Sequence, residues 1–177
     1  MPTIYEDTRQ QMAHGDKHAK KHEWFAAHGV ECVRRKLEFG DYMTDGSNIA
    51  IDTKANVGEL AMNVGRDHRR FAREMERARE AGYRLVIMVE TVRPYVDLDS
   101  LAAWTSSACR MCLWYKSRRC LPHGASRCAK YKRKPIQGTS VARICKSMER
   151  DYGCRFTFVH PDNAAESICD ELGVEHT

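Results

Sequence analysis

Three side chains with the means to do chemistry crowd into residues 40 to 54, "GDYMTDGSNIAIDTK": the carboxylates of Asp41 and Asp52 and the ammonium of Lys54. The stretch otherwise reads as two strands joined by a turn. A two-residue Gly46-Ser47 loop, with glycine first as a type II′ turn prefers, sets Asp41 opposite Asp52. With Asp45-Gly46 as the loop, Asp41 lies diagonal to Asp52 on the same face; a three-residue loop would part them. Like charges so placed repel by up to about 1 kcal/mol at an exposed site and by more where water is excluded. Lys54, two residues beyond Asp52 on the same face, offsets part of that. A divalent cation bridging the carboxylates offsets more, and oxygen ligands suit Mg²⁺ or Mn²⁺.

The elements around this stretch alternate between strand and helix. Thr3 to Glu6 is a short strand candidate, followed by a helix to about Ala27, with Asp16 as a possible cap and Gly29 as its stop. "VECVRRKLEFG" is extended in character. In "SNIAIDTK" Ile49, Ile51 and Thr53 share one face and Ala50, Asp52 and Lys54 the other, which predicts one core face and one chemical face. "NVGELAMNV" and "DHRRFAREMERAREAG" read as helices, the second ending at Gly82. "YRLVIMVE" is the near-continuous apolar strand of a sheet buried on both sides. "DLDSLAAW" reads as a short helix, "GTSVARICKSMERDYG" as a helix capped at Thr139 or Ser140 and stopped at Gly153, "CRFTFVH" as a strand and "DNAAESICDELG" as a last helix. The whole predicts a single α/β domain, a size that 177 residues suits well.

Charge is concentrated. The chain carries a net +5, yet Cys109 to Lys134 holds nine Lys/Arg and no acid, so the remainder sums to −4. Such a block meets a polyanion, nucleic acid being the commonest; a solvated basic loop is the plain alternative. The alternation of elements resumes after it, so residues 105–135 read as an insertion. Within it Cys109, Cys112, Cys120 and Cys128 put four thiols in twenty residues. A CxxC pair is a usual half-site for tetrahedral zinc, and the other two thiols would close an all-cysteine structural Zn²⁺ site, with His123 as a substitute ligand. Free thiols are the other reading, because the spacing fits no standard zinc finger. Trp114, Tyr115 and Tyr131, interleaved with the basic residues, offer faces for stacking on unpaired bases or for packing the module.

Cys32, Cys145, Cys154 and Cys169 fall in strands or helices, where buried thiols are the default. His14, His18 and His22 recur every four residues on one helix face. The outer pair is about 12 Å apart along a helix, too far to close on one ion, so a solvated face is the expectation. No apolar run is long enough to span a bilayer, and "MPTIYEDTRQ" has no signal-peptide pattern, so the expected setting is intracellular and cytoplasmic, without a membrane.

An acid, about ten residues, then Asp-x-Lys on a strand is the short motif of PD-(D/E)xK nucleases. "GDYMTDGSNIAIDTK" resembles, more closely, the XPF-type family of structure-specific endonucleases, in which Gly-Asp-Tyr opens the hairpin and an apolar pair leads into Glu-Arg-Lys. "IYEDTRQ" at 4 to 10 resembles that family's upstream strand ending in Asp-x-Arg-Glu. "RRFAREMERAREAGYRLVIMVE" resembles its next helix and core strand, and "KPIQGTSVARICKSMERDYGCRFTFV" its closing helix and strand. Asp52-Thr53-Lys54 replaces Glu-Arg-Lys, Gln10 stands where the family has Glu, and Gly58 where it has a further Asp, with Glu59 beside it as the candidate replacement.

The resemblance implies a restriction-endonuclease-like fold, a central mixed sheet flanked by helices, with the Cys-rich basic insertion added. It implies Mg²⁺-dependent (or Mn²⁺-dependent) hydrolysis of phosphodiester bonds in branched or single-strand/double-strand junction DNA. Asp41, Asp52 and Asp7 are the implied metal ligands and Lys54 the implied catalytic cation. Arg9, Lys116, Arg118, Arg119, Arg127, Lys130, Lys132, Arg133 and Lys134 are the candidate DNA contacts, Arg9 equally a structural ion pair. The tandem helix-hairpin-helix modules of eukaryotic members are missing from this sequence, so the insertion or a partner, a second copy in a homodimer included, is expected to grip DNA. So compact a nuclease would suit a phage or other mobile element in recombination or repair. The competing expectations are a catalytically silent DNA-binding protein on the same fold and an RNA-directed zinc protein.

Overall fold

The computed structural model describes residues 1–9, 17–92, 95–120, 128, 130 and 134–177. Gln10, His14, Asp16, His123, Arg127, Tyr131, Lys132 and Arg133 lie outside these described residues. In chain order the strands are β1 (Thr3–Asp7), β2 (Glu31–Arg35), β3 (Tyr42–Met43), β4 (Ile49–Lys54), β5 (Arg84–Glu90) and β6 (Arg155–Val159). The helices are α1 (Lys17–Ala27), α2 (Val57–Gly65), α3 (His68–Glu80), the single turns α4 (Ser107–Arg110) and α5 (Leu113–Lys116), α6 (Gly138–Tyr152) and α7 (Ala164–Leu172). A 3-10 turn at Ser100–Ala103 stands where the short helix was expected.

The described strands form one mixed sheet in the order β2-β1-β3-β4-β5-β6, with β3 antiparallel to both its neighbours and the other pairs parallel. Two cores follow from alternation along these strands. Ala50, Leu85, Ile87 and Val89 face α2, α3 and α6, packing on Leu60, Phe71, Met75 and Val141. Ile4, Tyr42, Ile51, Val86 and Met88 face α1 and α7, packing on Phe25, Ile168 and Leu172. Strand β5 is buried from Leu85 through Glu90, as its apolar run predicts for a strand covered on both sides.

Several details depart from the sequence reading. Both faces of β4 are core: Ala50, Asp52 and Lys54 are buried under α2 and α3 rather than lying on an open chemical face. Pairing of Tyr42 with Ile51 is the register that sets Asp41 opposite Asp52, but β3 ends at Met43 and the link to β4 spans 44–48, looser than a two-residue turn. Helix α6 is capped at Gln137, ahead of Thr139 and Ser140. Its first residue, Gly138, is wedged against the end of the 3-10 turn, where an added Cβ would lie 2.5 Å from Leu101 O and 2.6 Å from Trp104 O. The Gly138 N–H donates to Trp104 O at 3.1 Å. The two ends of the 105–137 stretch, Trp104 and Gly138, therefore lie against one another. Of the histidine stripe, His18 and His22 are not on a solvated face either, since both turn inward onto Glu6 of β1.

Among the described residues, no helix is long and apolar enough to cross a membrane.

Candidate active site

Asp7 ends β1, Asp41 immediately precedes β3, and Asp52 and Lys54 belong to β4; all lie on the α2/α3 side of the sheet. The junction is built by backbone. Gly40 has φ +61°, and a Cβ there would sit 2.6 Å from Ile51 O, so only glycine lets the chain come this close. That approach lets Asp41 N–H donate to Ile51 O at 2.6 Å, while Asp41 C=O accepts from Asp7 N–H at 2.8 Å. Beyond this point β3 has no residue to pair with Thr53. The Asp41 side chain takes over: its Oδ2 accepts from Thr53 N–H at 2.7 Å and from Thr53 Oγ1 at 2.6 Å.

Asp52 is 5% exposed, and its Oδ1 accepts from Lys54 Nζ at 2.7 Å. Its Oδ2 is buried without a hydrogen-bond partner. Burial, against the pull of Lys54 and with the charges of Asp41 and Glu74, pushes the Asp52 carboxyl up to about 7. Burial alone would lower the Lys54 ammonium, yet Asp52 beside it, with Asp41 and Glu59 farther off, holds it above its ordinary value. The ammonium also lies 5.2 Å over the Phe71 ring of α3.

Asp7 is 2% exposed and tied to Arg9, whose Nε donates to Asp7 Oδ2 at 2.6 Å and whose backbone N–H donates to Oδ1 at 3.0 Å. Burial opposes the Asp7 carboxylate, but those bonds hold it below the usual range. Arg9 also donates to Leu37 O, so it is engaged as a structural ion pair. Glu59 is engaged too: Oε2 accepts from Ala55 N–H at 2.8 Å while its own N–H donates to Asn56 Oδ1 at 3.0 Å, a reciprocal cap on α2.

The structure thus brings Asp41, Asp52 and Lys54 to one end of the sheet with Asp7 alongside. It does not gather the oxygens of three of these acids within 4.8 Å; Arg9, Thr53 and Lys54 each hold one of them. The donor chemistry, all carboxylate oxygen, is of the kind a hard divalent cation takes. A buried carboxylate oxygen without a donor is costly, and either a proton or a hard cation relieves it. Glu74 is a charge that motif reading passed over; in α3 it stands one turn past Phe71 and beside Met75, on the flank of the buried stripe.

In the cysteine-rich segment, Cys109 and Cys112 are buried and Cys120 and Cys128 half-buried, and the sulfurs of no three of them lie within 4.8 Å. Cys112 caps α5, and the Tyr115 N–H, helped by Trp114 N–H and Lys130, holds its thiol below the ordinary value. Lys116, Arg118, Arg119 and Lys130 are exposed, as are Trp114 and Tyr115, with Lys134 half-buried at the base.

No protein-family model matches the chain, and no curated protein matches it. Solved structures do. XPF from Aeropyrum pernix superposes with a TM-score of 0.57 at 20% identity over 97% of this chain and 63% of that one. XPF from the same organism in complex with DNA superposes with a TM-score of 0.57 at 17% identity, over 98% of this chain and 64% of that one. The chain is thus similar in fold to XPF, spanning less than two thirds of those chains' length.

Proposed function

We propose that the protein is a divalent-cation-dependent, structure-specific DNA endonuclease that hydrolyses phosphodiester bonds at branched or single-strand/double-strand junctions. The observation that carries this reading is the Asp52–Lys54 pair: a buried carboxylate with one oxygen left without a donor, beside an ammonium, at the sheet end where Asp41 and Asp7 converge. The XPF-like fold supports it, one of those structures being a complex with DNA.

Asp52 and Asp41 would hold Mg²⁺ or Mn²⁺, with Asp7 joining once Arg9 moves to a phosphate. When bound, the cation lowers the pKa of a water and neutralises charge on the scissile phosphate. Lys54, pinned by Asp52 and by the Phe71 ring, aims a positive charge at the site and can orient the attacking water or stabilise the developing charge. The exposed Lys116, Arg118, Arg119 and Lys130 would grip phosphates, and Trp114 and Tyr115 would stack on unpaired bases. Cys109, Cys112, Cys120 and Cys128 would close on a structural Zn²⁺ that orders this grip, the lowered Cys112 thiol being the readiest ligand. A homodimer would supply further DNA-binding surface, and a phage or mobile-element origin belongs to the same reading.

The test is cleavage of labelled flap, fork, four-way-junction and linear DNA with Mg²⁺ or EDTA, by wild type and Asp52→Asn. Junction cutting that needs Mg²⁺ and is abolished by Asp52→Asn, with junction binding retained, is expected. Unchanged cutting by Asp52→Asn overturns the site. The engagement of Asp7 by Arg9 and of Asp41 by Thr53 favours a second reading, a catalytically silent DNA-binding protein. Tight junction binding with no Mg²⁺-dependent cutting would establish that one, and the same panel on RNA would expose an RNA-directed protein.

A further inference from the structure

Glu6 and Asp7 are neighbours on β1, so their side chains leave the sheet on opposite faces. Asp7 faces the candidate active site. Glu6 is fully buried on the α1 side, among groups the nuclease reading does not use.

His22 Nε2 lies 3.1 Å from Glu6 Oε2, and His18 Nδ1 lies 3.4 Å from Glu6 Oε1. The two histidines, four residues apart on α1, share one helix face. Cys32 of β2 completes the group, and the ligand atoms of Glu6, His22 and Cys32 all lie within 4.8 Å of one another. The elements that deliver them are fixed independently: β1 and β2 pair in parallel with Ile4 opposite Cys32, and α1 is held to the sheet by Phe25 in the core and by Lys21 against Glu90.

We propose that Glu6, His22 and Cys32, with His18 as fourth ligand, form a zinc site that staples α1 to β1 and β2. The donor set selects the ion. One thiolate, two imidazoles and a carboxylate suit Zn²⁺, whereas Mg²⁺ and Ca²⁺ take oxygen ligands. Ligand bonds of about 2.0–2.3 Å put tetrahedral neighbours roughly 3.3–3.8 Å apart, so Glu6, His22 and Cys32 close by about an ångström around the ion, and His18, now in contact with Glu6, turns in to complete it. Zinc takes the place of the direct contact between His22 Nε2 and Glu6 Oε2, and the Cys32 thiol gives its proton to solvent. The Tyr42 hydroxyl, donating to Glu6 Oε1 at 2.8 Å, stays as an outer hydrogen bond that orients the carboxylate. Arg34 must yield: its Nε is 3.3 Å from Glu6 Oε2, but its side chain is one third exposed and already reaches Thr8 O.

The site predicts a metal stoichiometry. In full-length protein carrying Cys109→Ser and Cys112→Ser, which disables the cysteine-rich segment, Co²⁺ is titrated into chelator-stripped sample and absorbance read. One equivalent with tetrahedral d–d bands and a thiolate charge-transfer band is expected, both displaced by Zn²⁺ and both lost on adding Cys32→Ser or His22→Ala. Co²⁺ binding that survives Cys32→Ser unchanged, or no binding by protein that circular dichroism shows folded, overturns the proposal. Should the double serine variant not fold, zinc content of wild type and Cys32→Ser is compared after gel filtration. A fall of one equivalent supports the site and equal content refutes it.

Discussion

The two faces of one sheet treat their buried carboxylates in opposite ways. On the α2/α3 face Asp52 has a single donor, Lys54, and an oxygen with none. On the α1 face Glu6 is ringed by Tyr42, His18, His22 and Arg34, four side chains that can donate to it. Buried charge is tolerated only when paired or bound to metal, so the first face is short of positive charge and the second is not. A hard cation therefore suits Asp52. Around Glu6, only an ion that takes nitrogen and sulfur as well as oxygen can enter, because it must displace protons rather than fill a vacancy.

The sharpest way to break this contrast is to remove a cation from the well-paired face. Lys21 Nζ donates to Glu90 Oε1 at 2.5 Å, both side chains under 10% exposed. Lys21→Met leaves Glu90 buried and unpaired and is expected to cost about 3–5 kcal/mol in denaturant unfolding, with the m-value unchanged. A cost near zero would mean that α1 is not anchored there.

Gly40→Ala strikes the backbone junction that positions Asp41. It forces a Cβ into Ile51 O at a positive φ and is expected to cost about 2–3 kcal/mol. DNA cleavage should fall further than the loss of folded protein accounts for, since Asp41 moves with Gly40. Metal content at the α1 face should stay at the wild-type value.

A third effect is in pH. The Asp52 carboxyl titrates near 7 in the folded chain against an ordinary value near 4, so the folded state holds more protons between those limits. Its contribution to stability is full below about pH 4 and is lost as pH rises through about 7. Melting temperature without divalent cation should thus carry a component that declines from pH 5 to pH 8, one that Mg²⁺ reduces and Asp52→Asn removes. A decline of the same size in Asp52→Asn would reassign it to another group.

Local pattern was enough for much of this. Period-two alternation sorted Ile51 from Asp52 and Lys54, the apolar run marked β5, and glycine stops ended α3 and α6, because each depends on residues close in the chain. Coverage of a strand's second face depends on helices that arrive from elsewhere. For that reason Asp52 and Lys54 read as an open polar face and are buried. The histidine stripe read as solvated for the same reason: its partners on β1 and β2 are remote in sequence.

From the chain alone came an acid–acid–lysine constellation on a hairpin, an α/β order of elements, and a basic, cysteine-rich excursion. Only the tertiary structure decided that Asp52 keeps a bare buried oxygen, that Asp7 is tied to Arg9, and that Glu6, His22 and Cys32 meet. Side-chain type and spacing establish which groups are available. Burial and donor count, which set whether a carboxylate lacks a cation or is already satisfied, come from contacts between segments far apart in the chain.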